Sequence, residues 1–342
     1  LSQQHSVMLT ASDFIRLPFT DDLTQAGIEY AVRSLPHTYD RMGGSDFSRL
    51  RRIVSGIAVE LAFRRYLTSQ AIPHDTLGAT PFTDPDRYDL ALGGRRCDLK
   101  SFQIFSRARI SRLRADPSIL LKAAALVPAD QFAAAHLSDE DLYLFAFATG
   151  LVTAHQSDVK RALEAGKPLY LMQVFPSDWT NPARWASLGR LALKLEAGPE
   201  VELELGGQTA QREFCVERLR LVPHRRTTLT VDFYSLAYLR VTHIPLGRLG
   251  VYSPALRQTY IVQPHQWGNI WVYGMSIWMV GYMTRGEFRR QACFLPSDSR
   301  VLQYNRTRTP NQSVPVANLH PLADLFARLR QWAASSPAAR AA

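Results

Sequence analysis

Two aspartates and a lysine carry the chemistry this sequence offers most plainly. Asp89 lies in the alternating run Arg87-Tyr88-Asp89-Leu90-Ala91-Leu92, and Asp98 and Lys100 lie in the run 95–105, with Gly93-Gly94 between the two. Two glycines between alternating runs predict a hairpin closed by a two-residue turn. The turn sets the register: Leu92 faces Arg95, Ala91 faces Arg96, Leu90 faces Cys97 and Asp89 faces Asp98. Period 2 then puts Asp89, Asp98 and Lys100 on one face of the sheet. Directly opposed carboxylates, with Cβ atoms about 4.5–5.5 Å apart, repel and destabilise a hairpin. A divalent cation held by their hard oxygens reverses the sign of that energy, and a neighbouring ammonium helps.

The elements around the hairpin follow from spacing. Residues 22–34 read as a helix that stops at Gly43-Gly44, and Ser45 or Asp46 caps a stronger helix over 47–67. Its apolar stripe is Leu50, Ile53, Val54, Ile57, Ala58 and Leu61, with Glu60 on the flank, where a solvated rim residue pairing with Arg64 at i+4 is the ordinary outcome. A short strand is possible near 71–77. After the hairpin come a helix over 118–136, a buried strand over 141–149, a helix over 156–165 and a strand over 168–175. From residue 177 the pattern turns to short strands, at 201–205, 213–221, 227–233, 237–244 and 258–263. A long strand over 270–282, a helix over 285–292 and an amphipathic helix over 319–332 follow, then an Ala-rich tail. The expected organisation is an α/β part over 1–176 and a β-rich part with a C-terminal helix over 177–342. Alternatively, 177–265 is an insertion and 266–342 returns to the core.

Asp89, then Asp98-Leu99-Lys100, with Glu60 on the helix ahead of them, resembles the PD-(D/E)XK nuclease superfamily, the restriction-endonuclease-like fold. The resemblance covers the order of elements over about 47–175. The proline of the superfamily's name is absent, since Tyr88 precedes Asp89. It implies an α/β fold with an αβββαβ core, to which a β-rich domain or insertion is added. It further implies a Mg²⁺-dependent endonuclease hydrolysing DNA phosphodiester bonds, with Mn²⁺ able to substitute. Asp89, Asp98 and the Leu99 carbonyl would hold the metal, Lys100 would orient or deprotonate the attacking water, and Glu60 would hold a second metal or a water. A restriction or phage-defence role ranks first by analogy of fold. The alternatives are a nucleic-acid-binding module that does not cut and an effector subunit that needs a partner.

Thirty acidic residues and only five lysines make fewer than one [DE]-x-K match expected by chance in 342 residues, and two are present. The second, Asp158-Val159-Lys160, lies in a helical stretch where i and i+2 point to different faces, so it is a decoy. Arg107, Arg109, Arg112 and Arg114 follow the motif strand, as a solvated helix start or as phosphate clamps beside the metal. Asn305-Arg306-Thr307-Arg308-Thr309 is a second basic segment. The aromatics Trp267, Trp271, Tyr273, Trp278 and Tyr282 read as core packing rather than base-stacking platforms.

A net charge of +10 points to a polyanionic partner, DNA under this reading, although arginine-rich codon usage gives the same excess. Cys97, Cys215 and Cys293 share no C-x-x-C spacing, which excludes a disulfide framework or zinc finger and fits a reducing cytoplasm. No P-loop, G-x-G-x-x-G, G-x-S-x-G or H-E-x-x-H is present. The most apolar run, 270–283, falls short of the roughly 17 residues of a membrane span, and no secretion signal is visible. The expectation is a cytoplasmic protein without a membrane partner, acting alone, as a homodimer or with a defence-system protein.

Overall fold

The computed structural model describes residues 9–37, 45–75, 90–133 and 138–335. The protein is mixed α/β, its strands falling into four sheets among the described residues. Contacts divide the chain into two compact units: unit 1 is 1–24, 55–151 and 272–342, and unit 2 is 25–54 and 152–271. Helices α1 (Asp21–Ser34) and α2 (Asp46–Ser69) contribute residues to both. Ser45 starts α2 as expected, its hydroxyl accepting from the Ser48 amide at 3.3 Å.

Unit 1 is built on a five-stranded sheet in the order β1 (Ile15–Leu17), β15 (Val272–Thr284), β5 (Leu142–Val152), β3 (Arg95–Ile104) and β2 (Leu90–Leu92). The β2–β3 hairpin has the expected register, Leu90 opposite Cys97, Ala91 opposite Arg96 and Leu92 opposite Arg95. Gly93 and Gly94 both have positive φ, 57° and 76°, the pair of left-handed residues a two-residue hairpin turn requires. From β3 the chain crosses over through α3 (Arg107–Ala115), a 3₁₀ turn, β4 (Ala124–Pro128) and α4 (Ala129–Ala133), and returns as β5, parallel to β3. Every residue of β5 from Leu142 to Gly150 is buried, as a strand covered on both faces must be. One face of β3 and β5 gives Phe102, Ile104, Tyr143, Phe145 and Phe147 to a core with Ile110 and Leu113 of α3, Phe288 of α7 (Arg285–Gln291) and Val314. On the other face, a Cβ built on Gly56 of α2 would lie 3.8 Å from Ser101 Oγ of β3. α8 (Leu322–Ser335) also meets α2, where Phe326 stacks on Phe63.

The Ala- and Leu-rich stretch expected to be one helix over 118–136 is instead a 3₁₀ turn over Pro117–Lys122, strand β4 and the short α4. β4 pairs with β17 (Asn311–Pro315), which also carries β16 (Cys293–Leu295), in a three-stranded sheet. A partner strand more than 180 residues away overrides the local helix preference of Ala and Leu, and Pro128 closes the strand where a helix would need its amide.

The second segment of unit 2 begins with α5 (Gln156–Glu164), and the unit contains two antiparallel sheets. The first runs β14 (Gly268–Asn269), β6 (Leu171–Val174), β11 (Ser235–Val241), β8 (Val201–Gln208), β9 (Phe214–Leu221), with the single turn α6 (Ser177–Thr180) after β6. β6 therefore does not extend the hairpin's sheet, as the 168–175 reading implied, but pairs with β11. The second sheet runs β10 (Arg226–Thr228), β7 (Ala192–Leu195), β12 (Leu249–Ser253), β13 (Gln258–Val262). Both sheets give alternate residues to one core, among them Leu203, Leu205, Leu239 and Val241 from the first and Leu193, Leu195, Val251 and Val262 from the second.

On the outer face of the first sheet, Glu204 is buried and receives the Tyr238 hydroxyl at 2.8 Å and Arg218 Nε at 3.0 Å, with Arg240 Nη1 at 3.4 Å. Burial pushes its carboxyl up, but the Tyr238 and Arg218 hydrogen bonds and the charge of Arg240 together hold it below its ordinary value. Tyr238 reaches Glu204 by crossing Gly206, where a Cβ would come within 2.2 Å of the tyrosine ring.

Candidate functional site

Alternation along β3 puts Asp98, Lys100, Phe102 and Ile104 on one face. Phe102 and Ile104 are closed into the core, whereas Asp98 and Lys100, nearer the hairpin turn, keep 22% and 15% of their side chains exposed. Lys100 Nζ lies 2.7 Å from Asp98 Oδ2 and donates to Gln131 Oε1 of α4 at 2.8 Å. Its ammonium is thus fixed between a carboxylate and an amide, neither fully buried nor free to wander.

Parallel pairing sets Tyr143 of β5 directly beside Asp98. The Tyr143 hydroxyl is pushed up to about 12, by burial first and then by the negative charge of Asp98, against a hydrogen bond from Arg285. Tyr143 is therefore neutral at physiological pH. Arg285, at the start of α7, also donates to the Phe132 carbonyl at 3.1 Å, joining α4 and α7 around the same corner. At the base of β5, Asp141 accepts the Arg96 amide and Arg96 Nε, each at 3.0 Å, which fixes β3 against β5 just before Asp98.

The backbone has its own direction here. Ala91 exchanges both hydrogen bonds with Asp75, so it turns away from β3 while Leu90 and Leu92 turn toward Cys97 and Arg95. Continuing that alternation, the Leu99 amide and carbonyl point to the β2 side of β3, away from β5. The Arg96 amide, in phase with those of Asp98 and Lys100 and out of phase with that of Leu99, points the opposite way, to Asp141, as the alternation requires.

Asp89, expected opposite Asp98, lies outside the described residues. Glu60 is 18% exposed and ion-paired with Arg64 one turn on. The helix that carries it covers the Ser101 face of β3, the face opposite Asp98 and Lys100. The structure thus brings Asp98 and Lys100 together and gives Glu60 a different neighbour. Among the described residues no three His, Cys, Asp or Glu side chains gather as a metal-binding group. Asp158 and Lys160 sit on α5, where Asp158 pairs with Arg161 and Lys160 with Glu164 at 3.9 Å, so the second [DE]-x-K match is helical as expected.

Arg107, Arg109, Arg112 and Arg114 all fall on α3. Arg109 is anchored, Nη1 donating to the Gln303 carbonyl at 2.9 Å and Nη2 to Asn305 Oδ1, while Arg107, Arg112 and Arg114 are exposed. Arg109 and Arg112 line a cleft of about 370 Å³ with Lys122 and Arg300 over a floor that includes Ile104, Leu113 and Leu120. Among the described residues, four cations and no carboxylate line it. The partners of Arg109 are neutral acceptors, so its charge stays available. Trp267, Trp271 and Tyr282 are buried, in keeping with a packing role.

No family model, curated protein or solved structure matches this chain.

Sequence reasoning missed Gln131, Tyr143, Arg285, Lys122 and Arg300. Gln131 and Lys122 lay in the stretch misread as one helix. Tyr143 and Arg285 reach the corner through strand pairing, and nothing in their local pattern marks them. No described helix is long and apolar enough to cross a membrane.

Proposed function

We propose that the protein is a metal-dependent endonuclease that hydrolyses phosphodiester bonds of DNA, on a core resembling the PD-(D/E)XK fold. The observation that carries this reading is the hairpin corner: Asp98 and Lys100 side by side at 2.7 Å on one face of β3, with the Leu99 carbonyl turned to the hairpin side. The order α2, β2, β3, crossover, β5, with β3 and β5 parallel, supports the same fold.

The donor set suits a hard divalent cation such as Mg²⁺ or Mn²⁺. The Asp98 carboxylate and the Leu99 carbonyl are oxygen ligands, and Asp89 would complete them in the register of the hairpin. Such an ion would polarise the scissile phosphate and lower the pKa of a bound water. Lys100 holds its ammonium within reach of both Asp98 and the neighbouring space, where it can orient the attacking water and stabilise developing negative charge. Gln131 and Asp98 fix the lysine in place, and neutral Tyr143 adds no competing charge. The cations of the α3 cleft, Arg109 and Arg112 with Lys122 and Arg300, bind phosphates of the same DNA without reading bases. A restriction or defence role, and a cytoplasmic location, belong to this reading.

Incubation of supercoiled plasmid with the protein in Mg²⁺, Ca²⁺ or EDTA tests it. Nicking in Mg²⁺ alone, lost in Asp98→Ala and in Lys100→Ala, is the expected result. Undiminished nicking by Asp98→Ala overturns the assignment. Binding of DNA with no cleavage under any metal identifies a module that does not cut by itself.

A further inference from the structure

The second sheet of unit 2 buries only one of its faces. Leu193, Leu195, Leu249, Val251 and Val262 point into the core, so their neighbours along each strand point outward. Pairing aligns these outward residues in rows. Arg226 of β10 faces Lys194 of β7, Lys194 faces Gly250 of β12, and Gly250 faces Ile261 of β13. The next row is Thr228, Ala192, Tyr252 and Thr259. Gly250 leaves the middle of the first row without a side chain, and the face forms a hollow of about 770 Å³. That lies inside the roughly 300–1,000 Å³ range of ligand-sized pockets.

The charges on this face are unbalanced. Arg226 and Lys194 are directly opposed like charges, an arrangement that destabilises a sheet. Among the described residues neither forms an ion pair with a carboxylate, and both are exposed. Among the described residues the one acid lining the hollow, Glu196, is taken by Arg248, with Nε at 2.8 Å and Nη2 at 2.5 Å. Tyr252 stands beside the pair, its ring centroid 5.8 Å from the Arg226 guanidinium carbon, and Ile261 is 46% exposed. Two uncompensated cations, an arginine-backed aromatic ring and an exposed aliphatic side chain surround a floor of bare backbone.

We infer that this open sheet face binds an unstacked, single-stranded stretch of nucleic acid. Phosphates would lie against Lys194 and Arg226, and a base would stack on Tyr252 over the space left by Gly250. Bases within a duplex hide their faces from a protein, whereas unpaired bases offer them to aromatic platforms flanked by cations. A second copy of this chain is a poor occupant, because a protein of net charge +10 would meet the same cations with its own. The inference does not depend on Asp98 or on cleavage.

Fluorescence anisotropy of the full chain in EDTA, with a labelled short oligothymidine and a duplex of equal length, tests it across a salt series. The expected result is preference for the single strand. Lys194→Ala with Arg226→Ala should weaken single-strand binding by roughly tenfold or more and flatten the log K against log salt slope by about 1.4, for two phosphates. Tyr252→Ala should weaken it by roughly fivefold to a hundredfold without changing that slope, and Tyr252→Phe should restore it. Asp158→Asn on α5, outside both proposed sites, should bind as the unsubstituted protein does, which controls for a general loss of affinity. Thermal melts confirm folding, and the Lys194→Gln, Arg226→Gln pair repeats the test if the alanine pair melts early. Unchanged single-strand affinity in both pairs overturns the proposal. Displacement by polyglutamate as readily as by unlabelled oligothymidine also overturns it, since that identifies an acidic protein partner.

Discussion

The hairpin corner of unit 1 and the open sheet face of unit 2 both place charged side chains on neighbouring β positions, and they resolve the charge in opposite ways. Lys100 lies against Asp98 and is held by Gln131, so the corner is electrically matched and partly enclosed. Arg226 and Lys194 share a sign, face each other across a strand pair and stay exposed. A matched pair costs little to maintain and must be opened or joined by an ion before it acts. An unmatched exposed pair carries a repulsion that solvent and salt soften and that a polyanionic ligand would relieve further. The first arrangement suits chemistry at a fixed point and the second suits capture of a polyanion.

The largest effect that can break this contrast is catalytic. Asp98→Ala should lower plasmid nicking in Mg²⁺ by about three orders of magnitude or more, as loss of metal-centred stabilisation worth several kcal/mol requires. Lys194→Ala should act through affinity, so that saturating DNA recovers its rate. A single-turnover assay at saturating DNA separates the two, and a lasting deficit in Lys194→Ala would erase the distinction.

Metal should also stabilise one region alone. Ca²⁺ at a hundred times its dissociation constant is expected to add about 2.7 kcal/mol to unfolding. The shift should vanish in Asp98→Asn and persist in Asp158→Asn and Lys194→Ala, read from thermal melts with EDTA or Ca²⁺. Its survival in Asp98→Asn would place the ion elsewhere.

Unit 2 holds a matched cluster of its own around Glu204, which tests whether matching or location governs stability. Glu204→Gln should cost about 1–3 kcal/mol at neutral pH, the range for disrupting a buried hydrogen-bonded group. The folded carboxyl lies below its ordinary value, so its contribution is complete above the unfolded value of about 4.3 and disappears as pH falls through the folded one. Urea midpoints of the two proteins should therefore differ at pH 7 and converge in acid. A constant difference down to strongly acidic pH would assign the loss to packing.

The smallest effect has the most informative sign. Lys194→Glu replaces an opposed like pair by an opposite one and should stabilise the protein by about 0.2–1 kcal/mol while weakening nucleic-acid binding. Lys100→Glu does the reverse to a matched pair and should destabilise. Melting temperatures moving in the same direction for both would show that the two charge environments do not differ as described.

The two regions also differ in how far they could be read from the sequence. The hairpin was legible because Gly93-Gly94 permits only a tight turn and the turn dictates every pairing beyond it. α2 was legible because its apolar spacing and its Ser45 cap are local. The sheet face was not, because strands β7 and β12, which supply Lys194, Gly250 and Tyr252, are short and carry no alternation long enough to stand out. Its first row joins residues 226, 194, 250 and 261 through pairings that local pattern does not encode. β6 shows the same limit: its strand character was clear, but a strand's sequence does not say which sheet will accept it. The neighbours of Lys100 and Asp98 were hidden for a related reason, since Gln131 and Tyr143 come from separate segments joined by the crossover from β3 to β5.

The place of β15 has a consequence for how the protein is made. It lies between β1 and β5 in the sheet of unit 1, yet it is translated only after unit 2. About 120 residues separate the end of β5 from the start of β15, which a ribosome adding 5–20 residues per second takes roughly 6–24 s to produce. Through that interval β5, an apolar strand, has one edge uncovered and β1 has no strand to pair with. Such an edge is a template for pairing with other chains. Soluble yield should accordingly respond to chaperones that act on nascent chains, and to slower synthesis, more than the stability of the finished protein would suggest.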